Sequence, residues 1–327
     1  MAEFSKDFVT SFFPVDAEPL IKTMDKPLII ECACPGFQKG GERYPAIPIS
    51  IDDQINEISE SVEAGAALVH IHPRDPKTGD GSMDNNLLKT IVDGIFDRCG
   101  DVVTITMGWD HWETNGRPVD YISKTAALLE LGGGNKYIQA NLMIPINWCA
   151  PGGETGSSWT NKEVTAAGAK FMCENGVKTI YQCYDTYSHL GIKMACFDTG
   201  ADTQTPRILN VQAGKHDSLA VGIDPWSYIN LISTMELHRS IPDSVVGVYP
   251  GGRNWLPLMV MGIIGGCEII RAGVEDAYWM YPHKNEVIKK NSDLIKLAYD
   301  FATMVGRRVI TDPKEARSYL GMELTTK

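Results

Sequence analysis

Short β-prone runs alternate with amphipathic helical stretches about eight times along this chain, and that alternation decides what it can fold into. The runs lie at 27–34, 67–72, 102–106, 137–142, 179–184, 208–212, 245–248 and 269–272. Between them the apolar period changes from two to 3.6. Ser50 can cap a helix whose face carries Ile51, Ile55, Ile58 and Val62 and which ends near Gly65. The last long helix lines up Val287, Ile288, Leu294, Ile295, Ala298, Phe301, Ala302 and Val305 and stops at Gly306. Strand–helix alternation without a Pro/Ser linker or a charge run between halves favours a single (β/α)8 TIM barrel. The 327 residues then divide into a barrel, an N-terminal extension (1–25) and a C-terminal tail (306–327). An open doubly wound sheet is the runner-up. It would carry a Gly-rich nucleotide turn after the first strand, and Pro35-Gly36 followed by Gly40-Gly41 lacks that spacing. Long loops are expected after strands 3 and 4, at 107–117 and 143–161, over the face where barrels do chemistry.

Charge narrows the partners. With 30 Lys and Arg against 41 Asp and Glu the net charge is −11. That speaks against bulk nucleic-acid or anionic-membrane binding, which needs clustered cations. An anionic substrate therefore requires a local positive site. Eight cysteines are too sparse for a disulfide scaffold, and Cys32 and Cys34 read as buried thiols of a reduced compartment. The N-terminus has no basic region followed by a sustained apolar core, and the apolar run 256–270 is broken by Pro257, three glycines and Glu268. The expectation is a cytoplasmic protein.

Two segments carry candidate chemistry. His70-Ile71-His72 ends a strand, whose period of two puts both imidazoles on one side, about 7 Å apart along the chain. At a barrel mouth they can share one metal ion, although a hydrogen-bonded pair without an ion satisfies the same spacing. Some two hundred residues on, Arg271-Ala272-Gly273-Val274-Glu275-Asp276 ends the last strand. Arg271 and Glu275 share parity, and Asp276 joins them only if Gly273 bends the chain. A salt-bridge cluster closing the barrel is the alternative. Together, two imidazoles and a carboxylate leave one coordination position open, as in a catalytic zinc site.

Other residues are candidates for ligand contacts. Gly251-Gly252-Arg253-Asn254 follows strand 7, where barrels often hold phosphate; an ordinary turn with Asn254 capping the next helix fits equally well. Trp109, His111, Trp112, Trp148, Tyr278 and Trp279 enrich the expected mouth in aromatics, for packing the loops or for facing an apolar or cationic tail. Glu31 on strand 1 is placed either in the pocket or in a salt bridge. Thr104, Thr106 and Asn141 end strands 3 and 4.

The sequence resembles the β-keto acid cleavage enzymes. The likeness runs from about Lys26 to Met322 and rests on Pro45–Ser50, on Glu63–His72 with Arg74-Asp75-Pro76, on Arg271–Asp276, and on the tail Pro313–Gly321. It implies a zinc-dependent barrel, usually oligomeric (a dimer or tetramer), that converts a β-keto acid and acetyl-CoA into acetoacetate and a new acyl-CoA. The family's metal ligands map onto His70, His72 and Glu275, and a catalytic Arg–Asp pair maps onto Arg271 and Asp276. A hydroxyl residue maps onto Thr106, with Thr104 as the second choice. Glu31, Arg74, Thr104, Asn141 and Trp109 are then candidate substrate contacts, and Gly252, Arg253 and Asn254 candidate contacts of the CoA co-substrate. The chain departs from its relatives at Gln182, where strand 5 commonly carries an acid, and at Ala277, where Asn is common. Two other readings remain open: a metal-dependent barrel hydrolase using His70, His72, His189, His216 and Asp276, and a barrel that binds metal or ligand without turnover.

Overall fold

A computed structural model of the chain describes residues 20–36, 44–106, 118–132, 134–143, 160–215 and 221–324. Eight parallel strands form a ring: β1 (Leu28–Ala33), β2 (Leu68–Ile71), β3 (Val103–Thr106), β4 (Ala140–Met143), β5 (Lys178–Cys183), β6 (Arg207–Ala213), β7 (Ser244–Pro250) and β8 (Ile269–Ala272). Each pairs with the next, and β1 pairs with both β8 and β2, so the sheet closes on itself. The expected (β/α)8 barrel is therefore what forms.

Helices cover the outside: α1 (Ile51–Glu63), α2 (Asn85–Cys99), α3 (Ile122–Glu130), α4 (Lys162–Glu174), α5 (Ser188–Ile192), α6 (Tyr228–Arg239), α7 (Trp255–Ile264) and α8 (Asn291–Met304). Ser50 caps α1 as its sequence suggested. Its Oγ accepts from the Asp53 N–H at 3.1 Å and donates to the Asp53 carboxylate at 2.6 Å, a reciprocal cap. Ile55 and Ile58 on that face are buried in the layer between helices and sheet, each burial contributing about 1.5–3 kcal/mol.

Three boundaries differ from expectation. β4 starts at Ala140 rather than 137, because 134–137 form a turn whose Asn135 amide donates to the Gly176 and Glu323 carbonyls. α8 starts at Asn291, not 287. Val287 instead bridges Trp279, the Ile288 N–H donates to the Tyr278 carbonyl, and the Asn291 N–H and side chain both donate to Glu57. The tail contributes a ninth strand, β9 (Val309–Ile310), paired with the start of β1, followed by α9 (Pro313–Leu320).

Inside the ring the lower layer is apolar. Ile29, Leu68, Ile180, Ile208 and Ile269 meet there, and Ile310, Leu320 and Met322 of the tail belong to the same cluster. One step up the strands the inward positions turn polar. Gln182, Asn210 and Gly247 stand in one register row, with Gln212 beside Tyr249 and Glu31 beside Arg271 in the next. Gly247 is glycine for a packing reason: a Cβ there would lie 1.8 Å from the Asn210 Oδ1.

Candidate active site at the barrel mouth

The site is built where three strands end. In the β1–β8 ladder Glu31 stands opposite Arg271, and in the β1–β2 ladder Ala33 stands opposite His70. After Ala272 the chain bends, and Gly273 permits it by close approach rather than by a left-handed φ. A Cβ on Gly273 would come within 2.1 Å of the Ala33 carbonyl oxygen. The N–H groups of Asp276 and Ala277 both return to the Gly273 carbonyl at 3.1 Å. This tight turn folds Glu275 and Asp276 back onto Arg271, the bend on which the placing of Asp276 depended.

Arg271 is the hub. Its Nε donates to Asp276 Oδ2 at 2.6 Å and its Nη2 to Asp276 Oδ1 at 3.2 Å, a bidentate pair. Nη2 also meets Glu275 Oε1 at 2.8 Å, and Nη1 reaches Glu31 Oε1 at 3.4 Å. Its guanidinium lies 4.7 Å from the centre of the Tyr249 ring, and the Tyr249 hydroxyl donates to Glu31 at 2.5 Å. Burial alone would lower the Arg271 pKa, but the carboxylates of Asp276, Glu275 and Glu31 outweigh it, so the guanidinium stays charged. Glu31 behaves oppositely. Complete burial raises its pKa from 4.5 to about 7 against the pull of Arg271 and the Tyr249 hydrogen bond.

His70, His72 and Glu275 converge beside this hub. The two Nε2 atoms are 2.7 Å apart; His70 Nε2 lies 3.3 Å from Glu275 Oε2 and His72 Nε2 lies 3.4 Å from Glu275 Oε1. One ligand atom from each residue fits within 4.8 Å of the others. Burial pushes the His70 pKa down to about 4, so this imidazole is neutral at physiological pH with a lone pair to give. Burial would raise Glu275, but Arg271 and both imidazoles overcome it and hold the carboxylate ionised. Two nitrogen donors and an ionised oxygen donor at this separation fit a divalent cation, and the donor set is the one expected of zinc with a position left open.

Among the described side chains of the remaining expected contacts, only Glu31 joins the cluster. Asn141 belongs to the other face of the sheet: its amide donates to Thr125 of α3 at 3.4 Å and lies 3.8 Å from Met172 Sδ of α4. In the ladders Thr104 stands opposite Val69, and Thr106 opposite Ile71 and Asn141. The side chains of Thr104 and Thr106 lie outside the described residues. Arg74 is a fully buried clamp that donates to the Gly36 and Gly79 carbonyls, fastening the loops after β1 and β2. Arg253 stacks 4.3 Å from the Trp279 ring and donates to the Lys284 carbonyl and the Asn285 side chain. The Gly252 N–H donates to the Asp276 carbonyl at 2.8 Å, and the Asn254 amide donates to the Ile223 carbonyl without capping α7. These groups brace the rim rather than present donors to a phosphate. Tyr278 packs on Tyr44 and on Trp279 in the same loop. His189 lies outside the ring between α5 and α6, its ring centre 4.9 Å from that of His238, which removes it from the hydrolase ligand set. Trp109, His111, Trp112, Trp148 and His216 fall outside the described residues.

Two residues of the cluster were not anticipated. Tyr249 ends β7 in the row of Arg271, and its inward parity was the available signal. Lys215, two residues beyond β6, places its Nζ 2.6 Å from Asp276 Oδ1. Nothing in its sequence neighbourhood announces that contact.

A closed parallel barrel with acid, guanidinium and imidazole side chains gathered at the C-terminal ends of β1, β2 and β8 defines a (β/α)8-barrel enzyme. Residues 27–322 match the profile of the beta-keto acid cleavage enzymes, and the chain belongs to that family. It is 27% identical to the 3-keto-5-aminohexanoate cleavage enzyme of Acetoanaerobium sticklandii over 304 residues, 90% of this chain and 98% of that one. It is 23% identical to the 3,5-dioxohexanoate:acetyl-CoA acetone transferase of Paraburkholderia graminis, covering 91% of this chain and 96% of the relative. Among solved structures the ternary complex of ObcA with a C4-CoA adduct and oxalate shares the fold, with TM-score 0.66 at 15% identity over 85% of this chain and 68% of that one.

Proposed function

We propose that this chain is a zinc-dependent β-keto acid cleavage enzyme that exchanges acyl groups with acetyl-CoA. The reaction is R–CO–CH2–COO⁻ plus CH3–CO–SCoA giving R–CO–SCoA plus acetoacetate. The observation that carries this reading is the convergence of His70, His72 and Glu275 beside the Arg271–Asp276 pair at the barrel mouth. Arg271 and Lys215 face the carboxylates of Glu275 and Asp276, and Glu31 adds part of a negative charge near neutral pH. A divalent cation then makes the site positive, the local attraction an anionic substrate needs in a chain of net charge −11.

A bound ion held by His70, His72 and Glu275 supplies Lewis-acid stabilisation for charge developing on the keto oxygen. Arg271, permanently cationic, binds the carboxylate and enolate oxygens. Asp276 is engaged by two cations, Arg271 and Lys215, and orients Arg271. Glu31, with its pKa near 7, can hold the α-proton while the carbanion attacks the thioester carbonyl and expels CoA thiolate. The thiolate then attacks the original keto carbon. The C–C bond breaks, and the proton returns to the departing carbanion as acetoacetate.

The tail R is best read as neutral. Gln182 accepts from the Tyr184 hydroxyl at 2.8 Å, and the adjacent inward positions carry the carboxamides of Asn210 and Gln212. The inward carboxylate Glu31 is already engaged by Arg271 and Tyr249. A cationic tail therefore lacks an anionic partner along β5 and β6 among the described residues. The test is a panel of neutral, cationic and apolar β-keto acids with acetyl-CoA and zinc-replete protein, scored for acetoacetate. Fastest turnover is expected with a neutral polar tail; absence of acetoacetate from every acid sinks the cleavage reading. A dimer or tetramer is the expected assembly, to be checked by light scattering.

A further inference from the structure

Asp276 is held from three directions. Arg271 grips its carboxylate from β8, the Gly252 N–H grips its carbonyl from the loop after β7, and Lys215 reaches it from the loop after β6. The Lys215 contact is constructed. Gly214 turns the chain after β6 with φ +73°, and its N–H donates to the Val221 carbonyl at 2.7 Å. The lysine stem then lies flat over Gly251: a Cβ on that glycine would meet Lys215 Cγ at 2.8 Å and Cε at 3.0 Å. The Nζ also stands 6.0 Å from the centre of the Tyr249 ring, whose hydroxyl holds Glu31. Lys215 thus touches Asp276 directly and lies against Tyr249, the residue that holds Glu31.

A structural ion pair at this rim is already complete without the lysine, because Arg271 and Asp276 are bidentate and each side chain is only 3% exposed. Bringing a second cation to the same carboxylate requires partial desolvation and glycines at 214 and 251. What it adds is a closer hold on Oδ1, which Nζ meets at 2.6 Å and the arginine Nη2 only at 3.2 Å, while Nε holds Oδ2 at 2.6 Å. The guanidinium plane follows the carboxylate plane, and with it the edge turned toward Glu275 and Glu31. We propose that Lys215 is a positioning residue of the reaction, holding Asp276 so that Arg271 keeps its orientation at the mouth. This rests on the cleavage reading above.

The test compares wild type with Lys215→Met, Lys215→Arg and Lys215→Ala, measuring kcat, both KM values, bound zinc per chain and melting temperature. The Met variant keeps its zinc and fold, holds both KM values within about threefold, and loses about 100-fold in kcat, the scale of a misplaced reacting group. The Arg variant retains more activity than the Met variant. The Ala variant recovers saturably with added methylammonium or ethylammonium, which a purely structural role does not produce. A crystal structure of the Met variant shows the Asp276 carboxylate turned off Arg271. A kcat within twofold of wild type overturns the proposal, as does a parallel loss of zinc. A raised KM for acetyl-CoA at unchanged kcat overturns it in favour of an anion anchor for CoA. A wild type that makes no acetoacetate overturns the cleavage reading and this inference together, whereas an active wild type with an indifferent Met variant sinks this inference alone.

Discussion

The two ends of the barrel use the same inward parity for opposite purposes. At the lower end the inward positions of β1, β2, β5, β6 and β8 are aliphatic, and the tail packs Ile310 and Leu320 among them. The tail is fastened there by Arg317, whose guanidinium donates to the Asp101 and Val102 carbonyls, and by Tyr319 hydrogen-bonded to Glu268. At the upper end, two residues further along β1 and β8, Ile29 and Ile269 give way to Glu31 and Arg271. The lower layer gains stability from water exclusion. The upper layer holds buried ionised groups that stay only because each has a partner. Stability and chemistry are thus separated along the strand axis, and substitutions at the two ends are expected to fail differently.

The largest expected effect is at the rim. His70→Ala or Glu275→Ala removes a ligand atom from the trio, and zinc content measured on purified protein falls in step with activity, to below detection for both, while the fold persists. Activity surviving in zinc-free Glu275→Ala breaks the assignment of the carboxylate as a ligand. The matching change at the lower end is Leu320→Ala. It opens a cavity in a fully buried cluster and is expected to destabilise the protein by about 2–5 kcal/mol in denaturant titration. The kcat of the remaining folded protein stays as in wild type. Equal loss of kcat there contradicts the separation.

A smaller effect tests the energetics of the rim by pH. Glu31 titrates at about 7 in the fold and at 4.5 in the unfolded chain, so between those values the folded state binds the extra proton. Stability is therefore fully present below pH 4.5 and is lost as pH rises toward 7, by about 3 kcal/mol at most. Glu31→Gln, which mimics the protonated acid, flattens that slope. The comparison is made by denaturant unfolding of chelator-treated protein between pH 4.5 and 8, and an unchanged slope in the variant rules Glu31 out as its source.

How much of this was legible from the sequence depended on whether the information was local. His70 and His72 were found because a strand's period of two fixes their common side. Glu275 was reached through its shared parity with Arg271, and Asp276 because Gly273 marked a bend. Asn141 was assigned to the pocket from its position near a strand end, yet which face it takes depends on the β4 register, and that register is set by partners in β3 and β5. The helical period of Val287 and Ile288 was real as a pattern, but the Ile288 N–H donates to the Tyr278 carbonyl and the Met280 N–H to the Glu286 carbonyl, and this bridge claimed the segment first. Lys215 was invisible because its partner, Asp276, lies far along the chain and its path is formed by glycines in two separate loops.

Arg253 gives the smallest expected effect and bears on the same lesson. By sequence it follows two glycines after β7 and suits a phosphate. In the fold its donors are spent on Lys284 and Asn285 and its plane on Trp279. Arg253→Ala therefore loosens the 279–285 loop without removing a ligand for CoA. Melting is expected to show about 0.5–1 kcal/mol of destabilisation, the value of a stacked cation near the surface, and the KM for acetyl-CoA stays within about twofold of wild type. A tenfold rise in that KM alone means that Arg253 leaves Trp279 to hold the cosubstrate, and that the upper rim rearranges on binding where the lower end does not.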